Sequence, residues 1–403
     1  METSTQAHNH PPKAATTDDA TPWVWLRVYY FESCKDHLLL YGIIPALTTL
    51  ATNGRSFQYY FERDWLGGPH IVVGIVGALT LLDISQTVEM IQIFLREKPS
   101  TTAFNSLDYE RRIAAAAALE ARVDVAQERP LRSNNSVLID TDEPFSPLLP
   151  PGILRTEMRL FLCKSTSIVL EWLNAIKEEK STRDEIALQA LTATAWAADP
   201  DLLRSHISYR SHSTAFLRYL DSPALIAEFQ RRYKTSSGKE ATSIVRDTVE
   251  RLNAQRAPAS ITRYAILLRE VLHLAYAGFA SGSLGKLPVK QFRAADAADP
   301  NFATAKRLNQ ILKDDPVLQA WRLVINLNYL VMNQLGISAL ERYLGCYLVG
   351  RACEDLFALK SSEIAQALAD TGNASAVITT LAQSSRLTLG NSLELKRQAN
   401  GFN

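Results

Sequence analysis

The sequence predicts an α+β fold, with a small antiparallel sheet near the N-terminus carried on a large, mostly helical body. Three observations lead there. Aromatic and β-branched runs cluster early, at 23–30, 57–63 and 70–77. From Ser85 onward, apolar residues recur at helical spacing with legible start signals. No repeat of fixed period and no heptad array divides the 403 residues, so 22–403 reads as one domain behind a disordered tail at 1–21.

The elements follow in order. Trp-Val-Trp-Leu-Arg-Val-Tyr-Tyr, beginning at Trp23, reads as a buried strand. Lys35 to Leu50 carries Leu38, Leu39, Ile43, Ile44 and Leu47 on helical spacing. Phe57–Arg63 and His70–Gly77 read as two strands joined by Asp64-Trp65-Leu66-Gly67-Gly68-Pro69, a loop suited to a hairpin. A regular hairpin then sets Arg63 opposite His70 across its mouth. The alanine run at 113–121 is a strong helix former. Between Gln127 and Gly152 lie five prolines and little periodicity, the composition of a lid or binding loop, with a short strand expected around Ser136 to Ile139. Helices follow to the end. Thr182–Glu185 and Ser338–Glu341 have capping-box spacing, and Ser222-Pro223 sets a capping hydroxyl before a proline.

Composition narrows the class. Lys and Arg (43) balance Asp and Glu (42), which gives no electrostatic footprint for nucleic acid or an anionic membrane. The longest apolar run, Ile71 to Leu82, is too short to cross a bilayer and is broken by Gly74 and Gly77. The N-terminal residues lack the apolar stretch of a signal peptide, and His8 and His10 read as part of a solvated tail. The expectation is a soluble, cytoplasmic protein. Cys34, Cys163, Cys346 and Cys353 form no CxxC pair and read as reduced core thiols. His206 and His212, six apart, suit a shared helical face poorly and read as surface residues. His273 sits in an apolar stretch and reads as a core residue. Nucleotide loops, zinc spacings and nucleophile elbows are absent, so no cofactor and no metal is expected.

Two segments concentrate chemistry. The hairpin gathers Arg63, Asp64 and His70 beside Tyr60 and Trp65. A cation, a carboxylate and an imidazole next to aromatic surface can bind a peptide carbonyl and move protons, or they can make a plain glycine turn with a surface ion pair. The second is an apolar helix from about Val317 to Leu335, ended by Gly336. Arg322, Asn326, Tyr329 and Asn333 recur on it at spacings of four, three and four, which aligns them on one face. Buried unpaired, each neutral group would cost on the order of 1–3 kcal/mol, so the stripe meets internal partners, water or a ligand.

The same segments carry a resemblance. Phe-x-Arg-Asp-Trp-x-Gly-Gly-Pro-His (61–70) resembles the opening motif of the lantibiotic dehydratase C-terminal family, which spans elimination domains and the thiopeptide pyridine synthases. Tyr-Leu-Val-Met-Asn-Gln-Leu-Gly-Ile (329–337), with Glu341 soon after, resembles the family's terminal His-Met-x-x-Asn-Arg-Leu-x-Gly signature. The resemblance implies a domain from about 22 to 360 and a ribosomally made precursor peptide, leader plus dehydrated core, as partner, alongside other enzymes of the same pathway. It departs where eliminating enzymes carry their charged groups. Val72 stands for an arginine, Tyr329 for the histidine and Gln334 for the arginine of the terminal motif, while Pro-Pro-Gly-Ile-Leu-Arg-Thr-Glu replaces Glu-x-x-Arg-Tyr-Gly-Gly. Arg63 is the main survivor.

The pattern therefore resembles the pyridine synthases most, which are cofactor-free. It implies a formal aza-[4+2] cyclisation of two dehydroalanines with loss of water and leader. Tyr329, His70, Arg63 and Asn333 are then the expected catalytic groups, and Asp64, Trp65, Tyr60, Arg322, Asn326 and Gln334 the substrate-binding ones. Two other readings stand beside it: a glutamate-eliminating lyase of a split dehydratase, and a non-catalytic peptide-binding partner.

Overall fold

A computed structural model describes residues 23–120, 130–140, 153–199, 205–287 and 313–357, with positions 202, 306–307, 310–311, 360–363, 366 and 370 beside them. The expected tail at 1–21 and most of the loop at 127–152 lie outside the described residues.

Four strands form one antiparallel sheet in the order β2-β3-β1-β4. They are β1 (Trp23–Tyr29), β2 (Phe57–Asp64), β3 (His70–Gly77) and β4 (Ser136–Asp140), the last being the short strand expected inside the proline-rich stretch. β3 is apolar almost throughout because both faces of the sheet are covered. Trp23 and Trp25 stack at 5.4 Å, and Tyr60 meets Trp25 edge-on at 6.1 Å. Gly74 makes this possible: a Cβ there would stand 2.4 Å from the Trp25 ring.

Between β1 and β2 runs α1, built from Asp36–Leu38, a π turn at Leu39–Ile43 and Ile44–Thr52. After the sheet come α2 (Leu81–Glu97) and α3 (Ser106–Glu120). The helical body consists of α4 (Ile153–Lys177), α5 (Arg183–Ala198), α6 (Ser205–Leu220), α7 (Pro223–Lys234), α8 (Ser236–Asn253), α9 (Ala259–Ser281), α10 (Pro316–Leu335) and α11 (Ala339–Phe357). Ser222 caps Pro223–Lys234 as expected, and Ser338 and Glu341 exchange both bonds of a capping box. Thr182 accepts from the Glu185 amide, but the Glu185 carboxylate takes the Ser181 hydroxyl instead of completing a box.

α10 is the central element. Asp315 accepts from the Val317 and Leu318 amides at 2.8 and 3.2 Å, and Pro316 opens the helix. Gly336 closes it at φ 85°, a left-handed turn that lets Ile337 donate back to the Met332 carbonyl. Most residues between are buried and most of those are apolar, as a central helix requires. Among the described residues, no helix is long and apolar enough to cross a membrane.

Candidate active site

The two segments singled out from sequence meet at the end of α10. Asn333 there behaves like a strand edge. Its Oδ1 accepts from the Arg63 amide at 2.8 Å and its Nδ2 donates to the Arg63 carbonyl at 2.9 Å. The Arg63 side chain donates to the Gln334 carbonyl at 3.1 Å and to Asp36 at 2.6 Å. Arg183, from the first turn of α5, pairs with the other Asp36 oxygen. Burial acts to raise the Asp36 pKa, yet the two guanidinium groups hold its carboxyl below the usual range. Arg63 is thus held by protein groups on two elements, α1 and α10.

His70 goes elsewhere. The register pairs Asp64 with His70 and Arg63 with Ile71, so Arg63 and His70 point to opposite faces of the sheet. The expected Arg63–His70 juxtaposition fails because β2 runs one residue further than its apolar pattern indicates. His70 is 0% exposed. Its ring packs on Tyr29 at 4.6 Å, Nδ1 bonds the Gly68 carbonyl at 2.8 Å, and Nε2 lies 3.5 Å from Arg27 and 4.0 Å from Asp64. Burial pushes the imidazole down to about 4, against the pull of Asp64. Asp64 folds the turn by accepting from the Trp65 and Leu66 amides at 2.7 and 3.3 Å. Trp65 is half-buried beside that turn, and Tyr60 is buried in the tryptophan cluster on the same face as His70.

A second polar cluster forms on α10 one turn before Asn333. Tyr329, 4% exposed, places its hydroxyl 2.6 Å from His212 Nδ1 on α6 and 3.3 Å from Cys346 Sγ on α11. The Arg342 guanidinium lies 4.7 Å above the Tyr329 ring centroid and 5.1 Å from that of Tyr343. Tyr343 in turn stacks on Phe216 at 4.1 Å. Arg322 and Arg342 both face His212, and their charges add to burial in pushing its imidazole down to about 4. Burial, helped by Cys346, raises Tyr329 well above an ordinary phenol, and burial pushes Cys346 up to about 11. At neutral pH the cluster is therefore a phenol, a neutral imidazole and a thiol beside two guanidinium groups. Arg322, Asn326, His212, Arg342 and Tyr343 are half-buried, forming a rim above the buried Tyr329 and Cys346.

The stripe expected along α10 is real but divided. Arg322 and Tyr329 face α6 and α11, with half-buried Asn326 one turn from each, whereas Asn333 is committed to the hairpin. Gln334 is buried on another side, 3.4 Å from Thr166.

Three sequence expectations need correction. His206 is 0% exposed and His212 half-buried, neither a surface residue. His273 is exposed rather than core, because the buried face of α9 runs through Tyr264, Leu268 and Ala275. Cys34 is exposed, while Cys346 and Cys353 are buried free thiols as expected. Sequence pattern assigned His212 and Cys346 no part in the site and did not mark Arg342; the packing of α6 against α11 brings them to Tyr329. Ser205, Tyr209, Ser213 and Phe216 mark a buried face on α6, and Gly350 lets α11 approach it so closely that a Cβ would stand 2.6 Å from Arg210. Among the described residues, no group of three or more His, Cys, Asp or Glu can hold a metal ion.

The lantibiotic biosynthesis dehydratase C-terminal family matches residues 23–353, and the chain belongs to it. Two solved structures share the fold. One, described as the pyridine synthase TbtD from thiomuracin biosynthesis, is 22% identical with a TM-score of 0.63, covering 83% of this chain and 98% of that one. The other, TsrL, is 16% identical with a TM-score of 0.64, covering 86% and 98%. No curated protein matches. The family supports a role in modifying ribosomally made peptides.

Proposed function

We propose that the protein is a pyridine synthase-like cyclase acting on a leader-bearing peptide that contains two dehydroalanines. One observation carries the reading: the Tyr329 hydroxyl, 2.6 Å from His212, sits in a cluster of neutral acid–base groups flanked by guanidinium cations. Ring closure through a formal aza-[4+2] step forms two carbon–carbon bonds once one amide has moved its proton from nitrogen to oxygen. Holding both alkenes in attack geometry supplies roughly 7–11 kcal/mol, and this is the larger contribution.

Tyr329 and His212 handle protons, worth about 10²–10⁴-fold. The phenol donates to the oxygen that leaves as water. The imidazole takes a ring proton as aromaticity forms and returns it to the phenol across the 2.6 Å contact. The same exchange repeats as the leader leaves: its amide nitrogen takes a proton from the phenol while the imidazole removes a second ring proton, so both residues are reset after each elimination and no cofactor is consumed. His212 takes the proton-carrying role expected of His70, whose ring is enclosed by Tyr29, Gly68 and Arg27. Arg63 and Asn333 act by fixing the C-terminal end of α10.

Incubation with a leader-bearing bis-dehydroalanine peptide, followed by mass spectrometry, tests the reading. The expected products are the free leader and a macrocycle lighter by that leader and water. Recovery of unchanged peptide at every pH between 6 and 9, with binding intact, would sink the cyclase and leave the binding-partner reading. Conversion of a glutamylated peptide alone would establish elimination instead.

A further inference from the structure

Arg342 differs from the arginines that hold the fold together. Arg27, Arg63, Arg183, Arg210 and Arg351 each meet a carboxylate. Arg342 meets none among the described residues, and the adjacent Glu341 carboxylate is taken by the Ser338 amide. Its contacts with the protein are of another kind: its guanidinium carbon lies 4.7 Å from the Tyr329 ring centroid and 5.1 Å from that of Tyr343, cation–π contacts in place of an ion pair. Nε is buried and, among the described residues, has no hydrogen-bond partner. An unpaired buried donor on a cation is costly; Arg27 and Arg183 each keep one beside a carboxylate that balances their charge, whereas Arg342 has no carboxylate among the described residues.

We propose that Arg342 is a substrate-binding residue whose Nε–H grips an amide oxygen of the dehydrated core peptide beside the Tyr329 hydroxyl. The inference rests on the Tyr329 cluster being the active site. The ligand class follows from the surroundings. A donor fixed between two aromatic rings, next to a neutral phenol and a neutral imidazole, suits an oxygen that is uncharged in the bound peptide and gains charge as the amide moves toward its imidic acid. Arg342 also adds positive charge beside His212, so that the imidazole stays neutral and able to accept a proton.

Binding and turnover separate this inference from the cyclase reading. Affinities of the wild type, Arg342→Lys and Arg342→Ala are measured by calorimetry for leader alone, for leader plus bis-dehydroalanine core, and for leader plus glutamylated core. Thermal melts establish that each variant is folded. Arg342→Lys keeps the charge but loses the planar donor. The expected result is unchanged affinity for leader alone, about tenfold weaker affinity for the dehydrated core peptide, and partial recovery of Arg342→Ala by guanidinium ion at sub-denaturing concentration. Where turnover is measurable, kcat falls about a further 10²-fold. Equal affinity of wild type and Arg342→Lys for the dehydrated peptide overturns the proposal, as does a loss confined to the glutamylated peptide, which would make the ligand a carboxylate. A wild type that binds as expected but converts nothing fails the cyclase reading and leaves the Arg342 contact standing.

Discussion

The hairpin mouth and the junction of α6, α10 and α11 gather similar side chains and use them differently. At the hairpin, Arg63 and Arg183 share the Asp36 carboxylate, Asn333 closes on the β2 backbone, and His70 is enclosed between Tyr29, Gly68 and Arg27. At the junction, a phenol, an imidazole and a thiol touch one another while Arg342 offers a buried donor with no partner among the described residues. Both regions keep a buried guanidinium donor with no hydrogen-bond partner among the described residues, Arg183 Nη1 at the hairpin end and Arg342 Nε at the junction. The difference lies in the counter-charge: Arg183 meets the Asp36 carboxylate, which holds elements together, whereas Arg342 meets none among the described residues and is left for a ligand.

Substitutions should separate these two roles. The largest effect is expected at Tyr329→Phe, which removes the hydroxyl and keeps the ring under Arg342. Turnover of the dehydrated peptide should fall by about 10²–10⁴-fold with the melting temperature little changed. A fall in stability with unchanged turnover per folded molecule would move chemistry away from the junction. At the hairpin end the pattern should reverse. Asp36→Ala leaves two guanidinium groups without their carboxylate and should cost about 3–5 kcal/mol in urea unfolding, with turnover per folded molecule near wild type. Gly336→Ala should be milder, about 1–2 kcal/mol, because φ is 85° and the new Cβ would stand 2.9 Å from Arg183 and 3.0 Å from Arg63. Denaturant titration checks both.

A separate effect is on pH dependence. His70 and His212 have folded-state pKa values lowered from 6.5 to about 4, so below neutrality the unfolded chain binds more protons than the folded one. Stability should therefore fall as pH drops from about 6.5 toward 4. His70→Gln should flatten part of that slope, measured by melts across the range. The acid limb of kcat/KM should lie near the lowered His212 value rather than near 6.5, because the imidazole must be neutral to accept a proton.

Much of this frame was legible in the sequence. Runs of β-branched and aromatic residues gave the strands, and even β4 showed through a proline-rich stretch. The end of α10 was visible in Gly336, and the spacing of Arg322, Asn326, Tyr329 and Asn333 gave its polar positions, whereas the Asp315-Pro316 start came only with the structure. The register of the hairpin was not legible, because Asp64 reads as a turn residue while tertiary pairing extends β2 through it. His212 and Arg342 stayed hidden for another reason. Each is polar on a helix with a mixed pattern, and only the packing of α6 against α11 turns them toward Tyr329. Their partners lie 117 and 13 residues away in sequence, respectively (212 to 329 and 342 to 329), so local periodicity could link neither to the tyrosine.

The most direct test compares the two histidines in one assay: conversion of a leader-bearing bis-dehydroalanine peptide by His212→Gln and by His70→Gln, each normalised to folded protein. The account predicts that His212→Gln loses turnover by about 10²-fold or more while His70→Gln stays within a few-fold of wild type. Loss of turnover in folded His70→Gln, with His212→Gln fully active, would contradict it and return the chemistry to the hairpin.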